Sequence, residues 1–111
     1  MEVKTGYHSN YRCGIRAENI IKRMYVKNGW EVEQSVGSRG VADLICEKGN
    51  TSHYVQCKSS IVNNNPKIST EELGRLKSTA TRNNATAIVA KIGVSGDKVI
   101  KYAKTNLDVV L

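Results

Sequence analysis

Phenylalanine is absent from this 111-residue sequence, and tryptophan and proline each occur once. Five tyrosines are the only other aromatic rings, which leaves little material for the stacking platforms that hold single-stranded nucleic acid. No apolar run approaches the roughly 18 residues a transmembrane helix needs, and the polar start MEVKTGYHSN does not read as a signal peptide. Cysteine is scarce and odd in number: Cys13, Cys46 and Cys57 show no CxxC spacing. His8 and His53 lie near no second ligand at a zinc-finger interval. Neither a disulfide framework nor a structural zinc is therefore expected, and the thiols are expected to be free, buried and reduced. Acids are outnumbered, 10 Asp and Glu against 17 Lys and Arg, leaving a net charge of +7. Such an excess of base points to a polyanionic partner, nucleic acid before an anionic membrane surface.

The length suits one domain over residues 1–111, and repeats and low-complexity tracts are missing. A first helix is expected from about Tyr11 to Asn28, with Asn10 as its cap and Asn28-Gly29 ending it in the left-handed conformation. Alternation in Trp30-Glu31-Val32-Glu33-Gln34 suggests a strand, followed by a turn at Gly37-Ser38-Arg39-Gly40. Val41 to Glu47 and Ser52 to Ser59 read as two strands of a hairpin. The only linker-like stretch, Val62 to Lys67, contains the single proline. Ser69-Thr70-Glu71-Glu72 is a capping box opening a second helix that ends near Asn83-Asn84. Thr86 to Ile92 has the unbroken apolar content of a central strand, and Lys98 to Tyr102 suits its hairpin partner across Ser95-Gly96-Asp97. The order α-β-β-β-α-β-β predicts an α/β or α+β domain, a mixed sheet flanked by helices.

On the first helix Cys13, Gly14, Ala17, Ile20, Ile21, Met24 and Tyr25 fall within about 140° and form the face to be buried. Arg12, Arg16, Asn19, Arg23 and Lys27 gather within about 80° on another side. A solvated face is the ordinary role of such a stripe. This one contains no acid, however, so it also suits a phosphate backbone. Glu18 sits at the edge of the apolar face, where a carboxylate needs water, a cation or a hydrogen-bond partner.

A two-residue Gly49-Asn50 loop would pair Lys48 with Thr51 and, counted outward, set Asp43 opposite Gln56. Opposed residues share a sheet face, and so does Lys58, two residues past Gln56. A one-residue slip would scatter the three. Carboxylate, amide oxygen and ammonium together suit phosphodiester hydrolysis. The Asp43 carboxylate, the Gln56 amide, the Cys57 backbone carbonyl and Glu18 through water could hold a hard cation such as Mg²⁺, while Lys58 steadies charge at the phosphate. Short patterns of this kind also arise by chance in ordinary hairpins.

Gly14-x-x-x-Glu18, then Val41-Ala42-Asp43-Leu44-Ile45, then Val55-Gln56-Cys57-Lys58-Ser59 resemble the PD-(D/E)xK nuclease superfamily, whose fold is restriction-endonuclease-like. Within it the chain is most similar to archaeal-type Holliday junction resolvases, which also occur in archaeal viruses. The resemblance runs from about Arg12 to Tyr102 and rests on the order and intervals of short motifs. It implies catalytic roles for Glu18, Asp43, Gln56, Lys58 and Ser38, with Asp43 as principal metal ligand, Gln56 in the second ligand position, and Arg39 as a phosphate contact. It also implies a homodimer, a requirement for Mg²⁺ or Mn²⁺, and paired cuts in a four-way DNA junction. Arg12, Arg16, Arg23, Lys27, Arg75 and Arg82 are the expected DNA contacts. The expected location is the cytoplasm, the host's if the source is a virus.

The sequence departs from the family pattern in three places. Ala42 replaces the usual proline, the segment from Gly37 to Asp43 is short, and Gln56 replaces the usual Glu or Asp. The last removes one negative charge, so metal affinity should fall. The remaining readings are a nicking, mismatch or transposition-type nuclease, and a DNA-binding module with an impaired site. A metal-independent ribonuclease using His8 or His53 is weaker, because no spacing brings those groups together.

Overall fold

The computed structural model describes residues 16–34, 42–62 and 65–111. Residues 16–27 are helical and form α1. There follow β1 (Glu31–Gln34), β2 (Leu44–Lys48), β3 (Thr51–Ser59), α2 (Thr70–Arg82), β4 (Thr86–Ile92) and β5 (Lys98–Tyr102). This is the order the sequence predicts. The strands lie side by side in chain order, antiparallel except for the parallel pair β3 and β4. A parallel pair needs a crossover, and α2 supplies it.

The ends of the elements have local causes. At the end of α1, Gly29 takes φ +89 and donates its amide to Val26 O at 3.1 Å, while Trp30 N bonds Tyr25 O at 3.0 Å. The capping box of α2 is formed in both directions between Ser69 and Glu72. In the β2–β3 hairpin Lys48 pairs with Thr51 across Gly49-Asn50, and Gly49 has φ +61. That is the φ required at the first central residue of a II′ turn. β4 and β5 occupy the spans expected of them. β2, however, begins at Leu44 rather than Val41, and β1 begins one residue after the buried Trp30.

Strand alternation sends residues to two cores. On one face Leu44, Cys46, Val55, Ile88, Ala90 and Ile100 pack with Ala17, Ile21 and Tyr25 of α1. On the other, Ala42, Ala87 and Val89 pack with Leu76 and Ala80 of α2. The sheet is thus covered by one helix on each face. The C-terminal segment runs beside β5, with Val109 N bonded to Ile100 O at 2.9 Å. Val109 and Leu111 join the α1-side core, and Val110 is exposed. Two of the three residues of the apolar tail therefore pack on this chain's own core. Among the described residues, no helix is long and apolar enough to cross a membrane.

Candidate active site

Strand β3 outruns β2. The β2–β3 register runs from Lys48 opposite Thr51 out to Leu44 opposite Val55, and it stops one residue short of the Asp43–Gln56 pair that the two-residue loop predicts. There the ladder gives way: Asp43 N donates to Val55 O at 2.8 Å, and Asp43 Oδ2 accepts the Cys57 amide at 2.8 Å. A side chain thus takes the bond that strand backbone would otherwise make. This double tie fixes Asp43 at the fork between the strands.

His53, Val55 and Cys57 face the α1-side core, so Gln56 and Lys58 point to the α2 face. The Lys58 contact agrees, because its Nζ lies 2.7 Å from Glu72 Oε2 in the first turn of α2. It is the only ion pair among the described residues. Glu18 reaches the site from α1 and is held by Gln34, the last residue of β1, whose Nε2 donates to Glu18 Oε1 at 3.1 Å.

Burial pushes the Asp43 carboxyl above its ordinary value. The Cys57 amide and the Lys58 charge pull it down, and the Glu72 charge pushes it up. The Glu18 carboxyl is likewise raised, first by burial and then by the Asp43 charge, against the Gln34 hydrogen bond. Two part-buried carboxylates that sense each other, with an amide oxygen on the strand opposite, are a donor set that suits a hard divalent cation. Among the described residues no three His, Cys, Asp or Glu side chains cluster as a metal cage.

Arg16, Arg23 and Lys27 are exposed on α1, and Arg75 and Arg82 are exposed on α2. Because the two helices cover opposite faces of the sheet, these basic residues form two separate groups rather than one patch. Arg12, Ser38 and Arg39 lie outside the described residues, as do Gly14, Cys13 and His8.

His53 is a core residue, 4% exposed, with its Nδ1 2.9 Å from Tyr25 Oη and its ring 4.4 Å from that of Trp30. Burial lowers its pKa. It faces away from Lys58, which removes it from any shared site with that lysine. Cys46 and Cys57 are free, as expected, but only Cys46 is buried; Cys57, at the edge of the sheet fork, is part-exposed, and burial pushes the Cys46 thiol up to about 12 and raises that of Cys57 as well.

Three neighbours of this site were not singled out as site residues in the sequence. Gln34 read only as part of a strand, and Glu72 read only as a cap. Lys91, the β4 partner of Lys58 in the parallel register, read only as part of a central strand. The signal for Glu72 is topological: a βαβ crossover returns the start of its helix toward the end of the first strand, where Lys58 lies.

A five-stranded mixed sheet with a helix on each face, with Asp43 where β2 and β3 part and Gln56 and Lys58 further along β3, has the architecture of the restriction-endonuclease-like fold class. A family profile described as Restriction endonuclease (Mrr_cat) matches residues 14–111, and the chain belongs to that family. Among solved structures the fold is similar to that of Hjc, a Holliday junction resolvase from the archaeal hyperthermophile Archaeoglobus fulgidus. The TM-score is 0.71 at 20% identity, covering 82% of this chain and 78% of that one. Comparison with curated proteins finds no match.

Proposed function

We propose that the protein is a metal-dependent, structure-selective DNA endonuclease, a homodimeric Holliday junction resolvase that hydrolyses phosphodiester bonds in four-way DNA junctions. The observation that carries this reading is Asp43, tied to Cys57 N at the fork of β2 and β3 and close enough to Lys58 and Glu18 for their charges to act on one another, in a chain of the restriction endonuclease family. The similarly folded archaeal Hjc is itself a Holliday junction resolvase, which supports the junction as substrate.

Asp43, Gln56, the Cys57 backbone carbonyl and Glu18 would hold Mg²⁺ or Mn²⁺. Such an ion supplies a Lewis acid for a phosphoryl oxygen and a water acidic enough to attack. The protein groups do the rest by position. The Cys57 amide holds one oxygen of Asp43, and the other would be the one to meet the ion. Glu18 is aimed by Gln34. The Lys58 ammonium, on the same face, stabilises charge growing on the phosphate as the bond to the leaving oxygen breaks.

The test incubates wild type and Asp43→Ala with labelled four-way junction, linear duplex, single strand and RNA, with and without Mg²⁺. Symmetric cuts confined to the junction, lost in the variant and with EDTA, are expected. Equal cutting of linear duplex would move the substrate to another nuclease class. The neutral amide of Gln56 favours one second reading, a DNA-binding module, and tight junction binding by wild type with no cleavage would establish it instead.

A further inference from the structure

We infer that Glu72 is a positioning residue for Lys58, and that it supplies at this site the negative charge which Gln56 does not. The role rests on the nuclease reading above, but the contact itself does not. Glu72 uses its two carboxylate oxygens separately: Oε1 accepts the Ser69 amide at 3.3 Å, and Oε2 accepts from Lys58 Nζ at 2.7 Å. Its own amide donates to Ser69 Oγ at 3.1 Å. The carboxylate is therefore tied to the start of α2 on one side and grips the lysine with the other. It is not a loose surface acid that happens to meet a lysine.

The surroundings of Lys58 explain why a grip is needed. From β4, Lys91 is its register partner, and like charges directly opposed repel. From its own strand, Gln56 offers a dipole but no charge. From the start of β2, Asp43 offers one carboxylate, already bonded to Cys57 N. Glu72, from α2, is the acid that pairs with it among the described residues. Without it the ammonium would be pushed by Lys91 toward solvent. With it, Nζ is anchored beside the Asp43–Gln56 fork, and the carboxylate that the usual Glu or Asp would place at position 56 is replaced in charge by one arriving from the helix.

The capping box allows a clean experiment. Gln serves at the third helical position of the box as Glu does, so Glu72→Gln should keep α2 capped and melt within about 2 °C of wild type. It should nevertheless slow single-turnover junction cleavage by about 10- to 100-fold while junction affinity stays within about 2-fold, the mark of an interaction that acts on the chemical step. Adding Gln56→Glu to Glu72→Gln should recover most of the lost rate. Ser69→Ala does the opposite: it lowers the melting temperature by removing a cap hydroxyl. The backbone amide at position 69 still holds Glu72 in that variant, so cleavage per folded molecule should change by less than about 3-fold. Independently of cleavage, ¹⁵N NMR of the Lys58 ammonium in metal-free protein should show an ordered, slowly exchanging group that Glu72→Gln abolishes. A Glu72→Gln protein that cuts at the wild-type rate, or whose Lys58 ammonium stays ordered, overturns the inference. Failure of Gln56→Glu to recover any rate overturns the replacement of charge. If wild type cuts nothing the nuclease reading falls, and the ammonium signal alone decides whether Glu72 positions Lys58.

Discussion

Asp43 and Glu18 are held in a fold that disfavours their charges. Both carboxyls are raised, with burial as the first cause. The folded state then binds more protons than the unfolded chain between the unfolded and folded values, so each ionisation lowers stability as pH rises through that window, and the loss is complete above it. Glu72 works in the other direction, since the Lys58 contact lowers its carboxyl and its contribution is present above its unfolded value. Because the two trends oppose each other, the pH profile of the wild type alone would not separate them. Asp43→Asn does separate them, because its amide oxygen can still accept the Cys57 N–H. The variant should match wild type near pH 3.5 and melt higher at pH 7, by about 4 °C for each 1 kcal/mol relieved. It should also lose cleavage, the usual exchange at a functional site. A variant less stable than wild type at neutral pH would show instead that Asp43 is structurally favourable as an anion.

At the scale of elements, the parts readable in advance were those whose ends are written in local chemistry. The capping box at Ser69, the Asn28-Gly29 stop and the Gly49-Asn50 turn each have a local cause, and the hairpin turn fixes the register from Lys48–Thr51 out to Leu44–Val55. What sequence pattern did not reveal depends on distant backbone. Val41 to Glu47 reads as one strand, but β2 begins only at Leu44, after a bend at Asp43 whose amide and carboxylate both bond to β3. The parallel pairing of β3 with β4 follows from the crossover, which periodicity cannot see, and with it go the Lys58–Lys91 neighbours and the Lys58–Glu72 contact. Two glycines then give opposite predictions from one substitution. Gly29→Ala forces a Cβ into the left-handed region and should destabilise by about 1 kcal/mol or somewhat more. In the interior of α2, Gly74 has open space where a Cβ would stand, so Gly74→Ala should stabilise by up to about 1 kcal/mol. Urea denaturation of both variants measures the two signs, and the same sign for both would contradict these conformations.

Over the whole molecule, the excess of base is not spread evenly. Glu31 and Glu33 are exposed on the edge strand β1, and Glu31 stands directly opposite Glu47 of β2. That corner repels phosphate and blunts strand-to-strand association at the β1 edge. Among the exposed cations, Arg16, Arg23 and Lys27 lie on α1 and Arg75 and Arg82 on α2, across the sheet, while Lys48, Lys67, Lys98 and Lys104 lie on strands and loops. A duplex meeting the Asp43–Gln56–Lys58 fork would have a basic helix on either side of the sheet plane and an acidic corner to avoid. On the proposed function, such an arrangement would hold backbones by charge and read shape, with little base readout. If α1 is a phosphate-binding face, changing Arg16, Arg23 and Lys27 together to Gln removes up to three counterion-releasing contacts, and the slope of log affinity against log salt should become shallower by about 2 to 3. Changing Arg75 and Arg82 to Gln should reduce it by less than about 2. An α1 face that only solvates the protein would leave the slope of the triple variant at the wild-type value, and junction binding measured across a salt series distinguishes the two.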